Sequence, residues 1–308
     1  MSDPPLRLDA ILNGATCKLG DGPTLRLLDQ VIQSSTDVQQ RIADWNRVAA
    51  ELESRAEPSG HAHFRLGVLH LLNDTDETAG ISHLEQAYAQ DRQFSARQEP
   101  QRLAAYRLLS LLKDFLAELR NRKTWRAAQL EPKNRGILLG TLLSVYDSTV
   151  PHILDMPAWS LNPFLRILKN VKLRAFAAEN YRCAQDLLEW VETGAARAFL
   201  INNEYALARS IIGLHGGVLE AILADRLQLV GQGTLGGLIT QAHRQGRLVV
   251  GTRLCALATI LLYFRNHCHP MKEIARTEYF IDLNVAKGLK SATDVVIAEL
   301  LAKVPQAP

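Results

Sequence analysis

The chain has 308 residues, of which 47% are hydrophobic and 22% are charged, and its formal net charge is +3. This composition is typical of a soluble globular protein with one large or two ordinary domains. The longest apolar run, Leu254 to Phe264, is shorter than the roughly 20 residues that span a membrane, so we expect a core helix there and no membrane contact.

Widely spaced cysteines, with no CxxC pair, argue against a disulfide framework or a zinc finger. No secretory signal is recognisable at the N-terminus, so we expect a cytoplasmic protein whose thiols are free. The four cysteines are Cys17, Cys183, Cys255 and Cys268.

Apolar residues recur every three or four positions along nearly the whole chain, and no long segment alternates with a period of two. This spacing predicts amphipathic α-helices. It is clearest in the segments RIADWNRVAAELESRA, QRLAAYRLLSLLKDFLAELRNR, LRAFAAENYRCAQDLLEWVE and SATDVVIAELLAKV. The sequence therefore predicts an all-α fold.

The N-terminal half contains the segment HAHFRLGVLHLLNDTDETAGISHLEQAYAQD, which resembles a tetratricopeptide repeat (TPR). The matching positions are Leu66, Gly67, Gly80, Leu84 and Ala87. Their small residues let paired helices approach closely, and His63 stands at the tryptophan position of the first helix. The resemblance implies an array of TPR-like helical hairpins. The alternative is an unrelated helical bundle.

Three prolines in quick succession, Pro151, Pro157 and Pro163, interrupt the helical pattern. A helix cannot run through all three, and helical patterns lie on both sides of them. We therefore predict a TPR-like N-terminal region over residues 1–150 and a separate C-terminal domain over residues 163–308.

In the C-terminal half, a helix with small residues and an internal glutamate precedes a glycine turn, the segment TLGGLI and an apolar helix that ends in Arg-Asn-x-x-His-Pro. This order resembles the HEPN superfamily of small helical domains, with Glu220, Arg265, Asn266, His269 and Pro270 as its motif residues. The resemblance implies a dimer that cleaves RNA without a metal, in bacterial defence or stress response. Only three residues separate Arg265 from His269, where active members have four to six, so we expect no cleavage.

The chemistry of these side chains leaves two interpretations open. On a continuous helix, Arg265 and His269 share one face, where the guanidinium could hold a phosphate while the imidazole moves a proton. Alternatively, both are cations at a helix C-terminus, where they interact with free carbonyls and the negative end of the dipole. Asn266 and Pro270 are ordinary residues for such a helix end.

Two basic clusters are candidates for RNA contact, because cations on one helical face can follow a phosphate backbone. Solvated helix faces that pair with acids elsewhere in the fold are the alternative interpretation. The candidate residues are Arg120, Arg122, Lys123 and Arg126 in the first cluster and Arg166, Lys169 and Lys172 in the second.

Gly213 and Gly217 lie one helical turn apart, so we predict a strip of helix surface without side chains there. Another backbone can approach such a strip closely. We therefore expect a homodimer or a protein partner at this position.

Two other patterns do not indicate a cofactor. The segment GQGTLG follows a helical pattern and not a strand, so we expect its glycines to end one helix and Thr234 to cap the next, with no nucleotide bound. His267 and His269 flank Cys268, but no second cluster of metal ligands has suitable spacing, so we expect no metal. The sequence thus predicts a non-catalytic helical adaptor, with an endoribonuclease as the alternative.

Overall fold

A computed structural model of the chain describes residues 8–14, 18–73, 76–95, 104–121, 124–146, 162–193, 197–229, 231, 233–268 and 281–303. All regular secondary structure in these ranges is helical, which confirms the predicted all-α fold. By its internal contacts, the chain divides into an N-terminal unit, Met1–Asp114, and a C-terminal unit, Phe115–Pro308.

Six helices begin in the described ranges of the N-terminal unit, and the last of them ends beyond the unit's boundary. They are α1 (Leu8–Leu12), α2 (Gly22–Gln33), α3 (Val38–Ser54), α4 (Gly60–Leu72), α5 (Glu77–Ser95) and α6 (Ala104–Arg120). Asp21 starts α2 and Asp37 starts α3: Asp21 accepts a hydrogen bond from the backbone N–H of Thr24 at 2.8 Å, and Asp37 accepts one from Gln39 at 2.9 Å. Both side chains satisfy an N–H group that has no partner within its helix.

The α4–α5 pair shows why the TPR-like segment has glycines. A Cβ atom at Gly67 would lie 2.7 Å from Cγ of Leu84, and one at Gly80 would lie 2.9 Å from Cγ of Leu71. Both leucines are buried. The glycines therefore allow two antiparallel helices to approach closely, which is the physical role that the sequence predicts for them.

In the described part of the C-terminal unit, eight helices follow. They are α7 (Thr124–Ala128), α8 (Pro132–Tyr146), α9 (Phe164–Ile167), α10 (Val171–Glu192), α11 (Arg197–Leu227), α12 (Leu235–Arg244), α13 (Arg253–His267) and α14 (Leu283–Ala302). Helix α11 is central, since it packs against α10, α12, α13 and α14.

The longest apolar run forms a buried core helix, as predicted. All residues from Leu254 to Phe264 are buried within α13, which confirms a core helix. Among the described residues, one helix segment, Asn203–Leu227 of α11, is long and apolar enough to cross a membrane, but 67% of its apolar window is buried inside the protein. This burial is consistent with the core helix of a soluble protein.

The division between the units does not fall at the prolines. The predicted boundary lies at residues 150 to 163, and most of that stretch, 147–161, lies outside the described residues. Contacts instead place the division between Asp114 and Phe115, because α8, which precedes the prolines, packs against α13 and α14, which follow them. Proline spacing marks where a helix stops, whereas a unit boundary depends on long-range packing.

Helix α8 approaches α14 backbone to backbone. A Cβ atom at Gly288 would lie 2.7 Å from Cα of Val145 and 2.8 Å from its carbonyl carbon. Atoms at these distances overlap, and backbone cannot move aside as a flexible side chain can. Glycine is therefore required at position 288 for this packing.

We expect Gly288→Ala to destabilise the C-terminal unit by about 1–3 kcal/mol, the usual cost of overpacking a core. Gly136→Ala is the matched control, because Gly136 is also helical and nothing lies within 4 Å of a Cβ atom there. The control should be stabilising by up to about 1 kcal/mol through helix propensity alone. Urea unfolding followed by circular dichroism measures both, and equal effects of the two substitutions would contradict the close approach.

Candidate functional site

The predicted motif residues Arg265 and Glu220 come together across two helices. Arg265 lies in the last turn of α13, and its guanidinium donates a hydrogen bond to the carboxylate of Glu220 on α11. Gly216 leaves room for this contact, since a Cβ atom there would lie 3.3 Å from Cδ of Arg265. The exposed fractions of the Arg265 and Glu220 side chains are 40% and 22%. The ion pair therefore links α11 to α13 at a position that solvent still reaches.

The neighbouring His267 also interacts with the C-terminal end of α13. Its Nδ1 lies 2.7 Å from the carbonyl oxygen of Tyr263, and the two ring centroids are 4.2 Å apart. An Nδ1–H group that donates to this carbonyl satisfies one of the acceptors left free at a helix C-terminus. Cys268 is the C-cap residue. This part of the segment thus has the contacts expected of a helix end.

The nuclease interpretation needs Arg265 to hold a phosphate beside His269. Residues His269 and Pro270 lie outside the described residues, and Asn266 is half-buried in the last turn of α13. A phosphate would have to compete with the Glu220 carboxylate for the guanidinium. Within one chain, Arg265 is therefore first of all a link between helices.

The two glycines predicted to form a strip have different surroundings. Gly217 is buried against α10: a Cβ atom there would lie 2.7 Å from Nδ2 of Asn180 and 3.5 Å from Cε1 of Phe176. Gly213 is exposed, and nothing lies within 4 Å of a Cβ atom there. Contrary to the prediction, Gly217 makes room for a helix of the same chain, whereas Gly213 is open.

An apolar stripe runs along α10 on the side that solvent reaches. Phe176, Cys183 and Trp190 are seven residues apart, so they share one helical face. Phe176 is 48% exposed, Trp190 is 37% exposed and Cys183 is half-buried. Asn180 of α10 packs against Gly217, and Gly213 lies one helical turn away from Gly217 on α11. We call these four residues, Phe176, Cys183, Trp190 and Gly213, the α10–α11 surface.

The first basic cluster is not a continuous cationic face. Arg126 is buried, its guanidinium lies 3.5 Å from a carboxylate oxygen of Glu118, and it stacks over Trp125 at 5.1 Å from the ring centroid. Arg126 therefore does not lie on an exposed cationic face, and its charge is balanced inside the fold. Arg120 is exposed, and Arg122 and Lys123 lie outside the described residues.

The second basic cluster is exposed, at the corner between α9 and α10. Arg166, Lys169 and Lys172 all have exposed side chains. Asp225 fixes the backbone of this corner, since its carboxylate accepts hydrogen bonds from the N–H groups of Lys169 at 3.1 Å and Asn170 at 2.8 Å. We call Arg166, Lys169 and Lys172 the basic corner.

Exposed apolar side chains lie next to the basic corner. Leu165 is 58% exposed and Val171 is 72% exposed, and Phe176 follows one turn later. A surface of cations with interleaved apolar groups differs from an ordinary solvated helix face, which is polar throughout. Sequence reasoning identified the cations of this corner but not the apolar residues beside them.

A buried polar network joins α10 to α14, and sequence reasoning missed it. The hydroxyl of Tyr181 donates to the carboxylate of Asp294, and Lys290 Nζ lies 2.7 Å from the other oxygen of that carboxylate. His215 on α11 lies edge-on to Tyr181, with ring centroids 6.3 Å apart, and is fully buried. Burial, and secondarily the charge of Lys290, lowers the pKa of His215 to about 3. His215 is therefore neutral at physiological pH and packs as a core ring.

A second missed cluster surrounds the thiol of Cys255. Its Sγ lies 3.4 Å from Nε2 of His243 and 2.9 Å from Nε2 of Gln129. This resembles a nucleophile beside a base, but Cys255 is fully buried, and burial raises the pKa of its thiol to about 12. A thiol that stays protonated is not a nucleophile, which agrees with the inert core cysteine that its apolar neighbours predict.

The glycine loop before α12 is a helix connection. Gly231 and Gly233 have φ of 75° and 93°, in the left-handed region that favours glycine. The hydroxyl oxygen of Thr234 accepts a hydrogen bond from the N–H of Gly237 at 3.4 Å, which confirms Thr234 as the N-cap. Among the described residues, no three His, Cys, Asp or Glu side chains are arranged to hold a metal ion.

Comparisons with protein-family models, with curated proteins and with solved structures find no significant match to this chain. The function must therefore be argued from the residues and their geometry.

Proposed function

We propose that this chain is a helical interaction protein whose C-terminal unit forms a homodimer or docks onto a protein partner through the α10–α11 surface. The observation that supports this most strongly is the exposed apolar stripe of Phe176, Cys183 and Trp190 beside the open Gly213. Exposed aromatic side chains are enriched at protein interfaces, and a glycine without neighbours lets another backbone come close.

The two sequence resemblances supply the context of this proposal. A HEPN-like C-terminal domain implies association through that domain and a role in prokaryotic defence or stress response. A TPR-like N-terminal region implies a helical surface for a second partner, so that one chain brings two proteins together in the cytoplasm.

The ion pair of Arg265 with Glu220 favours an adaptor over a nuclease. In a metal-independent nuclease, arginine must stabilise the developing charge on the phosphate, and here the guanidinium is already neutralised by a carboxylate. A half-exposed ion pair contributes little stability, about 0–1 kcal/mol. Its role in the proposed adaptor is to hold α13 in register on α11 below the interaction surface.

The basic corner supports a second candidate function, contact with RNA. Its three cations are exposed, and the backbone that carries them is fixed by Asp225. Lysine and arginine side chains that neutralise phosphates release counterions, which provides affinity without sequence specificity. In this role the chain would present RNA to its protein partner and would not cut it.

We expect Gly213→Leu to weaken self-association or partner binding at least about tenfold, because a bulky side chain fills the position that a second backbone approaches. Gly136→Leu is the matched control, since it adds the same side chain to another open helical glycine. Sedimentation of the full-length chain over a wide range of concentrations measures association. A monomer at every concentration that also captures no protein partner, or equal behaviour of both variants, would contradict the proposed surface.

We expect the wild-type chain to leave total RNA intact in the presence of a chelator, because Arg265 is held by Glu220. His269→Ala and Arg265→Ala, incubated beside it, should look the same. Chelator-resistant cleavage that produces 2′,3′-cyclic phosphate ends and disappears in His269→Ala would instead establish the endoribonuclease, since loss of general acid–base catalysis lowers rates about a hundred- to ten-thousand-fold.

We expect glutamate at all three positions of the basic corner to weaken binding to any RNA sequence about equally and to flatten its salt dependence. Lys133→Glu is the control, because it reverses an exposed charge on α8, away from this corner. Fluorescence anisotropy with labelled RNA at several salt concentrations measures both. Unchanged affinity of the triple variant, or no binding at low salt, would remove RNA from the function of this corner.

A further inference from the structure

Four of the nine histidines of the chain lie on the α4–α5 pair of the N-terminal unit, and three of them form one cluster. His63 and His70 lie on α4 and His83 lies on α5. The ring of His83 has a centroid 5.2 Å from that of His63 and 5.7 Å from that of His70, with interplanar angles of 20° and 14°. We call His63, His70 and His83 the histidine cluster. Imidazole is the side chain that changes charge close to neutral pH.

The hydrogen bonds of His63 fix the protons of the cluster. Its Nε2 lies 3.0 Å from Oε1 of Glu53, which also accepts from the hydroxyl of Ser59 at 3.2 Å. A carboxylate only accepts hydrogen bonds, so Nε2 of His63 carries a proton. In neutral His63, Nδ1 is then an acceptor, and it lies 3.1 Å from Nδ1 of His83. His83 must donate its Nδ1–H to His63.

This arrangement tolerates one proton between the two rings but not two. If His63 alone is protonated at Nδ1, the bond survives only when His83 carries its proton on Nε2; protonation of both rings places two N–H groups face to face and removes the hydrogen bond that joins α4 to α5. Protonation of His83 at its other nitrogen would keep that bond but place a cation between two imidazoles. His63 is buried, and solvent therefore screens charges in the cluster only weakly.

Of the acids named on the surrounding helices, Glu53 faces the cluster and the others are paired elsewhere. Glu53 on α3 faces His63 alone, and its side chain is 52% exposed. Asp29 on α2 lies 3.1 Å from Nε2 of His61 and forms two hydrogen bonds with Arg65, at 2.7 and 2.9 Å. It is thus already paired with the Arg65 cation.

On the other side of α5, Glu85 is paired with Lys113 of α6 at 2.7 Å, and both side chains are exposed. Glu85 is therefore also paired with a cation. Apart from Glu53, the acids named around the cluster have cationic partners of their own.

We propose that the histidine cluster is a pH-sensitive contact, which holds α4 against α5 when its rings are neutral and releases α5 when they are protonated. Close packing at Gly67 and Gly80 makes the α4–α5 pair sensitive to repulsion within the cluster. The helices are in van der Waals contact there, so they cannot relieve a repulsion by a small shift. Acidification therefore opens the pair cooperatively.

The direction of the pH dependence follows from the environment of His83. Burial, and then the charges of His63 and His70, lower the pKa of His83 below its ordinary value. A histidine with a lowered pKa in the folded state contributes stability that is present above the unfolded pKa of about 6.5 and is lost as the pH falls through the folded value.

Asp29, the acid of α2, does not titrate in the pH range in which His83 takes up a proton. Burial disfavours the charged form of Asp29, but the hydrogen bonds from His61 and Arg65 outweigh it and lower its pKa. A carboxyl with a lowered pKa stays charged while the histidines protonate, and its own contribution is lost only at more acidic pH. A loss of stability just below pH 6.5 would thus come from the histidine cluster.

The test is hydrogen exchange of the full-length chain, followed by mass spectrometry at about pH 7.5 and about pH 5.5, on either side of the ordinary histidine pKa. A chelator in both buffers excludes metal binding by the imidazoles. After correction for the intrinsic exchange rates, protection of α4 and α5 should fall up to about tenfold for each pH unit and each proton taken up on opening. Peptides from α13, in the same sample, should keep their protection.

Two variants make the test specific. His83→Gln keeps a hydrogen-bond donor but cannot take up a proton, so it should remove most of the pH response, and His70→Gln should remove part of it while the His63–His83 bond stays in place. His61→Gln is the matched control, because it removes a histidine that faces Asp29 and not the cluster, and it should keep the response. An undiminished response in both His83→Gln and His70→Gln, or a parallel loss of protection in α13, would overturn the proposal.

Discussion

Helix α11 can be approached closely on two sides because residues 216 and 217 carry no side chain. At Gly217 the missing Cβ makes room for Phe176 and Asn180 of α10, and at Gly216 it makes room for the aliphatic part of Arg265. The ion pair of Arg265 with Glu220, the antiparallel α10–α11 pairing and the exposed stripe on α10 all depend on these two positions. A larger side chain at either one would displace a neighbouring helix, and the proposed interaction surface would change with it.

Several polar residues with reactive side chains are neutralised or buried by the fold. Arg265 is paired with Glu220, Arg126 with Glu118, and the Cys255 thiol is buried beside His243. The groups that remain available are less conspicuous: an apolar stripe, an open glycine and three lysine and arginine side chains at a corner. Such a distribution fits a protein that works by contact better than one that works by bond cleavage.

Sequence reasoning predicted what local spacing determines. The period of apolar residues predicted the helices, the glycine–leucine spacing predicted the close α4–α5 approach, and Thr234 was recognised as a cap because its partner is three residues away. The partners of Arg126 and Gly217 belong to other turns or other helices, so spacing alone could not assign them. For the same reason the prolines suggested a boundary that long-range packing places elsewhere.

The buried thiol of Cys255 has a consequence for chemical labelling. An alkylating reagent attacks the thiolate and needs access to sulfur, and in the folded chain Cys255 offers neither, with a pKa of about 12 and no exposed surface. Cys183 and Cys268 are half-buried and nearer to solvent. The slow labelling of Cys255 among faster cysteines would therefore report the transient opening of the α13 core without an engineered labelling site.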